Sequence, residues 1–176
     1  MRDPGATLAY TLRPATGADF AFLYDLHVAC LREYVAQTWG WDEAVQRELF
    51  ATNFAPARSQ VVGVADEPIG ALAVERHADA WFVANLAIAP AWQGRGLGAA
   101  LLRDILATAA REGLPTRLRV LRVNPARRLY ERLGFVIVGE TPTHYLMERA
   151  SRSATASIAI AGVIVGAGHA PGGADR

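Results

Sequence analysis

The stretch that most restricts this chain is Pro90-Ala91-Trp92-Gln93-Gly94-Arg95-Gly96-Leu97-Gly98. The run before it, Trp81 to Ile88, has strand character and stops at Pro90. Behind it, Leu97, Leu101, Leu102, Ile105, Leu106 and Ala109 fall on one helical face, and Gly113 and Pro115 end that helix. A strand that enters a glycine loop and leaves as a helix exposes the helix N-terminus at the loop. The first N–H groups there have no intrahelical partners, and that end carries roughly half a positive charge. Glycines let a ligand approach those N–H groups closely. The arrangement suits phosphate or pyrophosphate.

The surrounding elements follow from periodicity and punctuation. Leu8 to Leu12 reads as a first strand. Thr16 and Asp19 form a capping-box pattern, with Asp in place of Glu, ahead of a helix marked by Leu23, Leu26, Cys30, Leu31 and Tyr34 and ending near Gln37. Asp42 caps a second helix carrying Val45, Leu49 and Phe50. Val61–Ala65 and Ile69–Val74 flank the turn Asp66-Glu67-Pro68 and predict a hairpin. Leu118 to Val123 is a further strand. Asn124-Pro125 opens a short helix with Leu129 and Leu133 facing inward, stopped by Gly134. Phe135–Val138 and Tyr145–Glu148 are the last strands, and they offer an edge for a homodimer.

The expected domain is 1–149. Residues 150–176 hold eight Ala, five Gly and three charged residues in 27 positions, too little to pack, so a flexible tail is expected. The 176 residues otherwise suffice for one core. A net charge of +1 argues against a nucleic-acid partner. The longest apolar run, Ala159 to Ala167, is shorter than the roughly 20 residues a bilayer requires, so no membrane association is expected. With no secretory pattern at the start, the expected location is the cytoplasm. The single cysteine, Cys30, allows no internal disulfide, and the four histidines match no zinc spacing, so no metal is expected.

Three phosphate-binding readings compete. A Walker loop needs lysine, and all 18 basic residues are arginine. Gly94, Gly96 and Ala99 match a dinucleotide pattern, but Pro90 to Gln93 separate it from its strand, and the next strand ends in Val123-Asn124-Pro125 where an acid belongs. The third reading is an acyl-CoA loop. Gln93-x-x-Gly96-x-Gly98 after a strand ending in Pro resembles the core motif of the GNAT superfamily of acetyltransferases. Asn124-Pro125-Ala126-Arg127-Arg128-Leu129-Tyr130-Glu131-Arg132-Leu133-Gly134-Phe135 resembles the next GNAT motif, at a fitting distance.

The resemblance covers Leu8 to Arg149 and implies an α/β (α+β) fold, a mixed, mostly antiparallel splayed sheet flanked by helices. It implies acetyl-CoA as co-substrate. The pantetheine arm would bond to the backbone of Leu86, Ala87 and Ile88, with the pyrophosphate on Gln93, Gly94, Arg95, Gly96, Leu97, Gly98 and Ala99. Asn124, Ala126, Arg127 and Tyr130 would line the far side, and Arg128 is a weaker phosphate candidate. The activity implied is N-acetyl transfer to a primary amine of a small molecule or peptide, with a non-catalytic acyl-CoA-binding module as the alternative.

Amine attack on a thioester expels a thiolate whose conjugate pKa is roughly 8.5, whereas tyrosine titrates near 10. Tyr130 therefore serves as a hydrogen-bond donor to that thiolate. For the base, Glu75, His77 and Asp79 precede the long strand, Asn85 lies within it and can position water, and His144 sits at the last turn. On the substrate side, Trp39-Gly40-Trp41-Asp42-Glu43 offers two indoles and two carboxylates, a wall for a cationic amine or else packing at the helix junction. Tyr34, Asn85, His144 and Tyr145 are further candidates.

Overall fold

In the computed structural model, which describes residues 9–151, alternation along the central strands decides which helix covers which face of the sheet. Strands β2 (Gln60–Val64) and β3 (Glu67–Arg76) form the expected hairpin. Its turn puts Ala65 and Asp66 at φ 48° and 67°, the left-handed pair that a two-residue hairpin turn requires. Neighbouring residues point to opposite faces. Val62 and Leu72 join Leu97, Leu101, Leu102, Ile105 and Leu106 of helix α3 (Leu97–Arg111) in one buried cluster. Val61 and Ala71 instead join Ala15, Leu23 and Leu26, the last two from helix α1 (Phe20–Trp39). Thus α1 and α3 sandwich the sheet, and burial of both apolar stripes holds the layers together.

The sheet has seven strands in the order β1-β2-β3-β4-β5-β7-β6. The remaining strands are β1 (Thr11–Pro14), β4 (Trp81–Ile88), β5 (Thr116–Leu121), β6 (Val136–Glu140) and β7 (His144–Arg149). Every pairing is antiparallel except β4 with β5. That parallel pair is short, Trp81–Val83 against Thr116–Leu118. On the β3 side the register shifts, so that Asn85 faces Ala73, Val83 faces Val74, and Ala84 has no partner. Such a bulge bends the strand that carries it. Beyond it β4 and β5 part, leaving one edge of Ala84–Ile88 open. The α+β, mostly antiparallel splayed sheet expected from the sequence is therefore the observed fold.

Some boundaries differ. The first strand begins at Thr11 and runs to Pro14, and α1 continues two residues past Gln37 to Trp39. The anticipated Thr16–Asp19 capping box forms, the Asp19 carboxylate accepting the Thr16 N–H at 2.8 Å, and a 3-10 turn at Gly17–Asp19 leads into α1. Helix α2 (Glu43–Asn53) is capped as expected, with Asp42 Oδ1 accepting the Val45 N–H at 2.9 Å. Its Val45 and Leu49 remain about half exposed instead of joining the core. Helix α4 (Arg127–Arg132) begins a turn after Asn124, whose Oδ1 accepts the Ala126 N–H at 2.9 Å. The expected Ala/Gly-rich tail from residue 152 onward lies outside the described residues.

Candidate active site

The gap between β4 and β5 opens into a cleft of about 880 Å3. Its walls come from the open end of β4, the glycine loop, the N-terminus of α3, the Asn124–Tyr130 segment, and the facing sides of α1 and α2. Backbone direction on β4 is fixed by one bond: the N–H of Ala89, just past its end, donates to Ile69 O of β3 at 2.8 Å. Alternation then aims the polar groups of Ala87 at β3 and those of Leu86 and Ile88 at the opening. The Ile88 carbonyl already has partners there. Gln93 Nε2 donates to it at 2.8 Å, and the Cys30 thiol at 3.3 Å. Of the three backbone positions that the resemblance implied for pantetheine, Leu86 presents both its groups, Ile88 presents its N–H, and Ala87 contributes only lining surface.

The glycine loop forms a cradle. Gly94 and Gly96 have φ of 73° and 84°, and a Cβ at either would meet nothing within 4 Å. Both therefore face open space in a conformation that L side chains rarely adopt. Gly96 is the N-cap of α3, and its carbonyl accepts the Ala100 N–H at 3.0 Å. The N–H groups of Leu97, Gly98 and Ala99 precede the first helical bond and are left for a ligand. Gly98 differs: a Cβ there would meet Leu129 of α4 at 3.5 Å, an ordinary van der Waals contact. An unfilled cradle at a positive helix end is the chemistry a pyrophosphate requires, so these residues fit a CoA group.

Tyr130 stands across the cleft. Its ring meets Phe135 edge-on at 5.9 Å and packs against the core cluster. Burial alone pushes its phenol pKa up. The hydroxyl has no charged or hydrogen-bonding side chain shifting it, and the residue lines the cleft. It is thus a neutral donor facing the ligand space. Cys30 also has its pKa raised, chiefly by burial. It stays a thiol near neutral pH and is a poor nucleophile.

Among the expected site residues, Asn85, Leu86, Ala87, Ile88, Gln93, Gly94, Gly96, Leu97, Gly98, Ala99, Asn124, Ala126 and Tyr130 line this one cleft. Others have different surroundings. Arg95 lies over the Trp92 ring at 4.7 Å and donates to the Ala91 carbonyl. Arg127 contacts Glu131 at 3.4 Å and lies over Tyr145. Trp39 and Trp41 border a separate shallow groove with Val45 and Leu49. Trp39 reaches His144 across that end, with ring centroids 6.0 Å apart. His144 Nδ1 is 2.9 Å from Thr143 Oγ1, and burial with nearby Arg119 lowers its pKa. Glu75, His77 and Asp79 lie at the end of the β3–β4 hairpin remote from Ile88. There Glu75 meets His77 at 3.2 Å and Asp79 meets Arg117 at 2.7 Å.

On the α1–α2 side of the cleft, sequence reasoning named Tyr34, which does line it, but not its neighbours. Leu26, His27, Cys30, Leu31 and Tyr34 form one stripe of α1 that faces Leu49, Phe50, Asn53 and Phe54 of the α2 region across open space. Their helical spacing was visible, but it reads equally well as core. Arg132, the charged side chain in the cleft lining, was also overlooked.

A family model for the GNAT acetyltransferase domain matches residues 57–137. The fold is shared with PaiA N-acetyltransferase of Thermoplasma acidophilum, solved with coenzyme A, at 15% identity and a TM-score of 0.67, covering 81% of this chain and 99% of that one. An acetyltransferase of Thermus thermophilus gives 25% identity and a TM-score of 0.63 over 82% and 98% of the two chains. The ribosomal-protein-S18-alanine N-acetyltransferase of Escherichia coli gives 20% and 0.60 over 85% and 99%. Residues 57–137 thus match the GNAT acetyltransferase domain, and the fold around them is the one these acetyltransferases share, one of them solved with coenzyme A. No described helix is long and apolar enough to cross a membrane.

Proposed function

We propose that the protein is an N-acyltransferase that moves an acetyl group from acetyl-CoA to a primary amine by direct attack, with Tyr130 assisting the leaving thiolate. One observation carries the reading. The glycine cradle, the open edge of β4 and Tyr130 line a single cleft, so one ligand can reach all three. Acetyl-CoA supplies a thioester carbonyl to receive the amine and a thiolate to expel. The N–H groups of Leu97 to Ala99 hold anionic oxygens, and Leu86 and Ile88 orient the pantetheine amides as an added strand would. Tyr130 donates its O–H toward the sulfur as the C–S bond breaks and the C–N bond forms. The amine's proton leaves to water, with Asn85 placed in the lining to position that water.

The neutral state of Cys30 favours direct attack over an acyl-cysteine route. The raised pKa of Tyr130 favours hydrogen-bond donation over full proton transfer. The competing reading, an acyl-CoA-binding module without catalysis, shares the cradle but assigns no task to the Tyr130 hydroxyl. Incubation with acetyl-CoA and a panel of primary amines, with free thiol and N-acetylated product both quantified, decides between them. Amine-dependent release of CoA matched by product is expected. Tight CoA binding without turnover on any amine would favour the binding module.

A further inference from the structure

Beyond β4 the cleft does not end at the space an acetyl group needs. It continues between α1 and α2 into a chamber walled mainly by Leu26, Leu31, Leu49 and Phe50, with His27, Gln46 and Asn53 as its uncharged polar groups. Among the described residues that line the cleft, none is Asp or Glu. The carboxylates at the near rim have other work: Asp42 caps α2, and Glu43 accepts from the Tyr24 hydroxyl at 2.6 Å and from Trp41 Nε1 at 2.9 Å. Two neighbouring aromatic rings, Trp41 and Tyr24, are already engaged by the protein's own guanidinium groups, Arg32 over Trp41 at 5.6 Å and Arg47 over Tyr24 at 5.1 Å. His27, between Tyr24, Trp41 and Phe50, is kept neutral by burial, and its Nε2 is covered from solvent. An ammonium or a dication entering this chamber loses its water and finds no anion in exchange. A neutral amine on an apolar body gains from the same desolvation. Burial also lowers an amine's pKa, easing the deprotonation that attack demands.

We infer that the acceptor is a primary amine carried on an uncharged apolar body, aliphatic or aromatic, seated in the α1–α2 chamber. The inference rests on the acyltransfer reading above. It replaces the cationic-amine wall that Trp39-Gly40-Trp41-Asp42-Glu43 suggested in the sequence.

The test measures kcat/KM with acetyl-CoA for straight-chain amines from propyl to hexyl, phenylalkylamines, and diamines and lysine peptides of matched length. Burial of each methylene should raise kcat/KM by about fourfold along the alkyl series, and diamines should fall at least tenfold below the equal-length monoamine. Independently of turnover, hexylamine should raise the Tm of the CoA-saturated protein more than 1,6-diaminohexane does at the same concentration. Gln46→Glu places a carboxylate on the chamber wall without changing volume. It should move the monoamine-to-diamine ratio by tenfold or more toward the diamine while leaving CoA affinity unchanged. A flat alkyl series, or a wild-type preference for diamines or lysine peptides, overturns the inference and leaves the acyltransfer reading standing. A steep gain with longer acyl-CoA donors and none with longer amines also overturns it, making the chamber an acyl-chain pocket. Absence of turnover with every amine overturns both readings.

Discussion

Replacing Tyr130 by Phe removes one hydroxyl and almost nothing else. The ring keeps its edge contact with Phe135 at 5.9 Å, and no side chain is left without a hydrogen-bond partner. Stability should therefore change by less than about 1 kcal/mol, a Tm shift of only a few degrees. Catalysis should change much more. A thiol ordinarily titrates near 8.5 and a free phenol near 10, a transfer uphill by about 2 kcal/mol, and burial of Tyr130 makes it harder still. What Tyr130 can give is a hydrogen bond to an anion as it forms, worth about 1.5–3 kcal/mol, or roughly 10- to 150-fold in kcat. CoA affinity should stay nearly constant, since the effect belongs to the transition state. The assay is single-turnover product formation, which reports chemistry and not product release. The defect should shrink with a donor whose thiol has a lower pKa. Wild-type single-turnover rates in Tyr130→Phe would refute the reasoning, as would equal losses in Tm and CoA affinity.

Other outcomes follow from the same geometry. Gly96→Glu places a side chain at φ 84° and a negative charge at the cradle. It should cost about 1–2 kcal/mol of stability for the left-handed backbone and abolish measurable CoA binding by calorimetry. Cys30→Ala should retain activity within a few-fold, and mass spectrometry of the acetyl-CoA-treated wild-type enzyme should show no acyl adduct; an adduct on Cys30 would contradict direct attack. Asp19→Asn removes a carboxylate held well below its usual range by its hydrogen bond with Arg13 and by the Thr16 N–H. Because the folded pKa is depressed, the stabilisation is present above the unfolded value of about 4 and is lost as pH falls through the acid range. Denaturation at pH 7 should therefore show Asp19→Asn less stable by about 1 kcal/mol, a gap that closes progressively below about pH 4.

The parts of the fold legible in the sequence are those where one local rule acts alone. Leu97 to Ala109 presents an uninterrupted apolar face and became α3 with that face buried. Gly94 and Gly96 announced a backbone other residues avoid, and they lie at positive φ. The strand splay was not legible from periodicity and came only through the family likeness, because it depends on a bulge at Ala84 and a three-residue pairing that no local pattern encodes. The acceptor side was the least legible. Val45 and Leu49 look like core at helical spacing, yet they border a groove and a chamber, because α2 packs on its neighbours through Phe50 and Phe54. Trp41, Asp42 and Glu43 looked like a receptor for a cation. In the fold their groups satisfy a helix N-terminus, a tyrosine and Arg32, partners that lie up to 19 residues away in the chain.

A crystal structure of the protein with CoA tests the central claim most directly. The account predicts pyrophosphate oxygens within hydrogen-bonding distance of the N–H groups of Leu97, Gly98 and Ala99. It also predicts pantetheine amides paired with the backbone of Leu86 and Ile88, and the sulfur beside the Tyr130 hydroxyl. CoA seated elsewhere, or seated here with its sulfur directed away from Tyr130 and the α1–α2 chamber, would contradict it.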